Sequence, residues 1–147
     1  MYLAKNYSNR IEKLLTLATK FKWNKIIAEK EIKQLNAETI AEKLPDFAAA
    51  LKNSHAPNDW KKLLEKTAGM LKKMGNDNPL KPEDLCSINQ PVLLMLGDRD
   101  KMVTLDETLE VYNLLPQARL SIFPNTPHPI EKVSMLRLAF EIKTFLQ

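Results

Sequence analysis

The C-terminal part of the chain alternates short apolar runs with segments of helical periodicity. Residues 92–96 (VLLML) form a continuous apolar run, typical of a strand buried on both faces of a parallel sheet. A second strand is predicted over residues 119–123. Helices are predicted from the capping-box pair Thr104 and Glu107, and over residues 129–146. We expect the closing helix to face inward through Val133, Leu136, Ala139 and Phe140.

The N-terminal part predicts a further strand and then a helical region. Residues 11–19 (IEKLLTLAT) have the length of a buried strand and follow what resembles the last turns of a helix. Residues 24–75 are helical in pattern, with Asn58 and Gly75 as the expected caps of the longest helix. That helix is recognised by an apolar stripe at helical spacing: Trp60, Leu63, Leu64, Thr67, Leu71 and Met74.

Composition narrows the class of protein. The 147 residues suffice for a real core, and 44% hydrophobic with 27% charged residues is the balance of a soluble globular protein. A single cysteine excludes an internal disulfide framework, and no signal-peptide pattern or apolar stretch of membrane-spanning length occurs. We therefore expect a soluble cytoplasmic protein without membrane contact. The net charge of +4 comes mainly from lysines interleaved with acids, which is typical of solvated helix faces and predicts no nucleic-acid partner.

The most specific chemistry lies where the two C-terminal strands end. The strand over residues 92–96 runs into Gly97 and an acidic turn (GDRD), and His128 follows the next strand in the segment FPNTPHPIEKV. Adjacent parallel strands bring their C-terminal loops together, so an acid from one and a histidine from the other can meet there. The acids of this turn are Asp98 and Asp100.

These motifs resemble those of the α/β-hydrolases, over essentially the whole chain. The resemblance implies a catalytic acid at Asp100, with Asp98 as the alternative because it lies nearer the strand. It implies a catalytic histidine at His128, although prolines flank this histidine where the family commonly has a preceding glycine. It also implies a partial α/β-hydrolase fold of three parallel strands flanked by helices. Residues 1–22 and 89–147 would form the C-terminal half of the core, and residues 23–88 a helical cap.

A nucleophile is missing from this pattern. The family places its serine in a G-x-S-x-G turn, and none of the serines lies within two positions of a glycine: Ser8, Ser54, Ser87, Ser121 and Ser134. Cys86 is expected to be a partly buried packing residue, and water activated by the Asp100–His128 pair would lack an oxyanion hole. His55 matches no metal-ligand spacing, so neither a metal nor another cofactor is expected.

Three hypotheses follow. The first is an incomplete hydrolase that is inactive alone, from a parent enzyme that cleaved small acyl esters. The second is a half-enzyme that another chain completes with its serine. The third is a non-catalytic interaction module. Because the strand over residues 11–19 would have a bare apolar edge, we also expect a homodimer through that edge.

Overall fold

The computed structural model describes residues 1–147, which divide into two compact units. One unit, here called the sheet unit, comprises Met1–Lys22 and Leu80–Gln147; the other, the helical unit, comprises Trp23–Pro79. In chain order the elements are α1 (Tyr2–Asn6), β1 (Leu14–Leu17), α2 (Lys25–Lys33), α3 (Ala37–Lys43), α4 (Pro45–His55), α5 (Trp60–Asn76), α6 (Pro82–Cys86), β2 (Val92–Gly97), α7 (Leu105–Leu114), β3 (Ala118–Phe123) and α8 (Met135–Leu146), with 3₁₀ turns at Ser8–Arg10 and Ile130–Lys132.

The sheet has three parallel strands in the order β1–β2–β3. Every residue of β2 is buried, because helices cover both faces of this central strand. Val92 and Leu94 pack on one side with residues of α6 and α7, whereas Leu93 and Met95 pack on the other side against Phe145 of α8. The prediction of three parallel strands flanked by helices is therefore confirmed.

Strand β1 is an edge strand and is shorter than the predicted run. It ends at Leu17 because Ala18 takes a left-handed conformation (φ 49°). Leu14 donates its N–H to the Pro91 carbonyl just before β2, and Ala18 donates to the Met95 carbonyl of β2, so the backbone groups of Leu15 and Leu17 point to the free edge. The Thr19 hydroxyl lies 3.4 Å from the Leu17 carbonyl oxygen and donates to it.

The closing helix is rotated from the expected orientation. Leu138, Ile142 and Phe145 pack on the sheet, while Leu136 is 86% and Phe140 66% exposed. Helix α8 is apolar around most of its circumference, so its periodicity did not define one stripe. Of the residues expected to face inward, Val133 is buried but Leu136, Ala139 and Phe140 are not. We call the exposed group Met135, Leu136, Ala139 and Phe140 the α8 flank.

The helical unit contains α2 to α5 around a small core of Ile40, Trp60 and Leu64. The caps of α5 differ from those expected, because Asp59 rather than Asn58 caps its start and Gly75 lies inside the helix. A Cβ at residue 75 would lie 2.5 Å from the Cβ of Ala28, so this glycine lets α5 and α2 approach closely. Its role is packing rather than helix termination.

The boundary after the helical unit falls at residues 79–80, earlier than the expected boundary after residue 88. Helix α6 belongs to the sheet unit because Leu85 and Ile88 are buried in the sheet core. None of the helices combines the length and apolar character needed to cross a membrane.

Candidate active site

The turn after β2 holds the Asp100 carboxylate in a fixed position. One carboxylate oxygen, Oδ1, accepts the backbone N–H groups of Met102 and Val103, each at 2.8 Å. The Asp100 N–H in turn donates to the Gly97 carbonyl at 3.2 Å, closing the turn. The Asp100 side chain is 1% exposed, so its second oxygen is presented to a protein partner rather than to solvent.

That partner is His128, from the loop after β3. Its Nδ1 lies 2.8 Å from Asp100 Oδ2, although the two residues are 28 positions apart. An ionised carboxylate only accepts hydrogen bonds, so Nδ1 carries the proton, and the neutral ring has an acceptor lone pair on Nε2. The His128 side chain is 34% exposed, so the ring is within reach of a reacting group.

The hydrogen bonds to Asp100 stabilise its ionised form. Burial alone raises the pKa of this carboxyl, but the Val103 N–H, the His128 ring and the Met102 N–H together outweigh burial. The net result is a pKa below the ordinary value of 3.8. Asp100 is therefore ionised at neutral pH, as an acid that orients an imidazole must be.

Asp98 has a different position and a different partner. Its Oδ1 accepts the Thr126 N–H at 3.1 Å, and its own N–H donates to the Phe123 carbonyl at 3.0 Å. The Arg99 N–H donates to the Thr126 carbonyl at 3.1 Å. Asp98 therefore connects the acidic turn to the histidine loop, and Asp100 is the carboxylate that contacts the imidazole.

Two further residues of the histidine loop were missed by sequence reasoning. Thr126 is buried, and its hydroxyl donates to the Pro124 carbonyl at 3.0 Å. Asn125 takes a left-handed conformation (φ 51°), which bends the chain before His128. The asparagine in FPNTPHP was the available signal, because asparagine tolerates this conformation better than most residues.

The alternative nucleophile Cys86 lies away from the Asp100–His128 pair. Cys86 is exposed, not partly buried as expected, and lies in α6, which precedes the N-terminal end of β2. The six residues of β2 separate that end from the Asp100 turn by about 20 Å. Among the serines, Ser87 donates to the Asp84 carbonyl and Ser134 caps α8.

Metal-ligand residues show no comparable grouping: nowhere do three or more His, Cys, Asp or Glu side chains lie together as a metal site would require. His55 is the last residue of α4 in the helical unit.

Two adjacent parallel strands thus end in an acidic turn and a histidine loop, and the acid of the turn is hydrogen-bonded to the histidine of the loop. No family model and no curated protein matches the sequence. Solved structures do resemble it, and they show that the chain has part of the α/β-hydrolase fold.

Three of these structures illustrate the likeness. MGS-M2, an α/β-hydrolase from a Medee basin deep-sea metagenome library, is 17% identical with a TM-score of 0.68, over 97% of this chain and 58% of its own. An esterase from Thermogutta terrifontis is 18% identical with a TM-score of 0.65, over 97% and 58%. NosK from Streptomyces actuosus is 14% identical with a TM-score of 0.72, over 97% and 61%. The chain thus spans about three fifths of the length of these proteins.

Proposed function

We propose that this chain contributes the acid and the general base to an active site that hydrolyses acyl esters, and that the nucleophile comes from a segment outside residues 1–147. The observation that carries the proposal is the 2.8 Å contact between buried Asp100 and the partly exposed ring of His128. Esters are the substrate class because the Thermogutta terrifontis protein of similar fold is an esterase. The fold alone does not determine a substrate.

The proposed chemistry uses His128 as a proton carrier. Nε2 would take the proton from the nucleophile's hydroxyl as its oxygen attacks the ester carbonyl, and would give that proton to the leaving alcohol. Water would then attack the acyl group on the nucleophile, its proton passing through Nε2 to the departing hydroxyl oxygen, which releases the acid. Asp100 would hold the ring in the tautomer that leaves Nε2 free and would stabilise the imidazolium ion formed in between. Without a positioned hydroxyl the pair has no acyl acceptor, and without oxyanion donors the charge on the attacked carbonyl oxygen is not stabilised. We therefore expect no turnover by the chain alone.

The free edge of β1 is the place where such a segment would join. A strand that pairs in parallel with β1 would end on the same side of the sheet as Asp100 and His128, because parallel strands share their C-terminal edge. The outward N–H groups of Leu15 and Leu17 and the Leu15 carbonyl would take part in that pairing, while the Leu17 carbonyl already accepts the Thr19 hydroxyl. A residue at the end of the new strand would then lie at the same edge of the sheet as His128.

The α8 flank lies on the side of α8 that faces the β1 edge of the sheet. Arg137 stacks over the Phe123 ring of β3 at 5.9 Å, so the Arg137 side of α8 faces β3. Ala139 is about 200° around the helix from Arg137 and therefore points toward the β1 edge. A helix attached to the added strand would have an apolar surface to pack on.

A chimera tests the proposal directly. The part of the MGS-M2 chain that this chain does not cover would be joined to residues 1–147, and hydrolysis of p-nitrophenyl acetate would be measured. We expect the chain alone to match buffer and the chimera to turn over. In the chimera, His128→Ala should lower kcat by at least about 10³-fold, whereas His55→Ala should leave it unchanged. A folded chimera whose rate is insensitive to His128→Ala would contradict the proposal.

A second function, self-association without catalysis, is favoured by the free edge of β1 and the exposed α8 flank. Two copies could pair antiparallel through their β1 edges, with the two α8 flanks packed together. Light scattering at micromolar concentration would then give twice the mass of 16.9 kDa. Leu15→Pro removes an outward N–H without removing a bond to β2, so this variant should be monomeric. A monomeric parent chain would rule out this function.

A further inference from the structure

One buried carboxylate in the sheet unit has no part in the proposed chemistry. Glu107 lies in the first turn of α7 and is 7% exposed. Sequence spacing paired it with Thr104 in a capping box, but only half of that box is formed. The Glu107 N–H donates to the Thr104 hydroxyl at 3.1 Å, while the carboxylate turns toward a different segment.

That segment is the end of the connection from β1. Glu107 Oε1 accepts the backbone N–H groups of Phe21 at 2.7 Å and Lys22 at 2.6 Å, 86 and 85 positions away in the chain. Both residues precede Trp23, where the helical unit begins. A buried carboxylate that accepts two backbone N–H groups is a strong, charge-assisted anchor.

The same carboxylate is linked to the turn that holds Asp100. The Lys20 ammonium lies 3.9 Å from Glu107 Oε2 and donates to the Met102 carbonyl at 2.7 Å. The N–H of Met102 is one of the two donors that fix Asp100 Oδ1. A continuous series of polar contacts thus runs from the backbone of Phe21 and Lys22, through Glu107 and Lys20, to Asp100.

We propose that Glu107 is a positioning residue that joins the chain leading into the helical unit to the turn carrying Asp100. Lys20 transmits the constraint, because it bonds one peptide group of that turn while facing the carboxylate. Loss of the Glu107 charge removes the ion pair that draws the Lys20 ammonium to its position beside the Met102 carbonyl, so the bond to that carbonyl weakens and the turn relaxes. The Asp100 carboxylate is then less firmly fixed by the turn and holds the His128 ring less tightly.

The relevance of Glu107 to catalysis rests on the proposed function. The linkage between Glu107 and the Asp100–His128 bond does not, and it is measurable without any substrate. The probe is solution NMR of the 147-residue chain, using two signals. The first is hydrogen exchange at the Phe21 and Lys22 amides, which reports the anchor. The second is exchange of the His128 Nδ1 proton with solvent, which reports the Asp100–His128 bond at the other end.

In Glu107→Gln we expect both signals to exchange faster, each on the order of tenfold. Lys20→Met should speed only the His128 signal markedly, because the Phe21 and Lys22 amides keep their carboxylate acceptor. Glu110→Gln is the matched control: this residue lies on the same helix and its exposed carboxylate pairs with Lys22 at 3.3 Å, so both signals should stay at wild-type rates.

Faster exchange at Phe21 and Lys22 with an unchanged His128 signal in Glu107→Gln would overturn the proposal, since Glu107 would then be a local anchor only. If Glu107→Gln does not fold, Lys20→Met decides, and an unchanged His128 signal there has the same consequence. Failure of the hydrolase chimera would leave both NMR outcomes intact, so the two proposals fail separately.

Discussion

The carbonyl oxygen of Thr126 lies directly against Gly97, with no room for a side chain between them. A Cβ at residue 97 would overlap both the carbonyl oxygen and the carbonyl carbon of Thr126. The end of β2 therefore supports the backbone of the histidine loop at its closest approach. Glycine is needed here for space, since its φ angle is not in the left-handed region.

Gly97→Ala should therefore push the two loops apart. We expect the free energy of unfolding to fall by about 1–3 kcal/mol, the usual cost of overpacking a rigid contact. The His128 Nδ1 proton should also exchange faster, because its acceptor Asp100 moves with the turn after residue 97. Urea unfolding and NMR exchange measure the two effects. A variant with wild-type stability and exchange would show that the loop adjusts freely.

Asp98 and Asp100 should be separable by conservative substitution. Asp98→Asn keeps a carbonyl oxygen to accept the Thr126 N–H, so its unfolding free energy should stay near wild type. Asp98→Ala leaves that N–H without its acceptor and should cost about 1 kcal/mol. In the active chimera, Asp98→Asn should retain most of kcat and Asp100→Asn should lose most of it. The reverse order would make Asp98 the acid.

Stability should depend on pH through Asp100. Its pKa is lower folded than unfolded, so as pH falls the unfolded state takes up the proton first. The stabilisation is fully present above the ordinary value of 3.8 and is lost as pH falls through the folded pKa. Asp100→Asn should therefore lose less unfolding free energy than wild type between about pH 5 and pH 2. Parallel acid limbs in urea titrations of the two proteins would contradict this expectation.

The orientation of α8 can be tested with two phenylalanines on the same helix. Phe145 is 4% and Phe140 66% exposed. Phe145→Ala should cost about 3–5 kcal/mol of unfolding free energy, because it opens a cavity against β2. Phe140→Ala should change it by no more than about 0.5 kcal/mol in the monomeric chain. Similar costs for both would mean that the flank is covered in solution, which light scattering would then reveal.

Two glycines in α5 should respond in opposite directions to alanine. Gly69 has open space around its Cα, so Gly69→Ala should raise unfolding free energy by about 0.5–1 kcal/mol through helix propensity. A Cβ at residue 75 would meet the Ala28 Cβ at 2.5 Å and the Asn24 carbonyl oxygen at 3.0 Å. Gly75→Ala should therefore destabilise despite the same propensity gain. Thermal unfolding of the pair measures the difference.

The sequence was most informative where one physical requirement dominates. The unbroken apolar run of β2 predicted a doubly covered parallel strand, and strand order then implied that Asp100 and His128 meet. The first prediction follows from the apolar run itself, and the second from the rule that parallel strands share their C-terminal edge. The spacing of 28 positions between Asp100 and His128 did not distinguish Asp100 from Asp98, and only the resemblance of the turn to the α/β-hydrolase motif favoured Asp100.

The remaining features depend on packing that a linear pattern does not contain. Helix α8 is apolar on two faces, so only the sheet decides that Leu138 rather than Leu136 faces inward. Glu107 has the spacing of a capping box, but the approach of Phe21 offers its carboxylate stronger donors. Gly75 resembled a helix terminator in the sequence, because the sequence does not show that Ala28 packs against this position.

The contacts that join the acidic turn to the histidine loop have a consequence for how such a site changes over generations. Gly97, Asp98 and Thr126 bring Asp100 and His128 together through backbone packing, before any substrate or nucleophile is involved. A mutation that opens these contacts therefore carries a cost in folding stability, whether or not a substrate is turned over. Selection for a stable fold and selection for catalysis would act on the same residues.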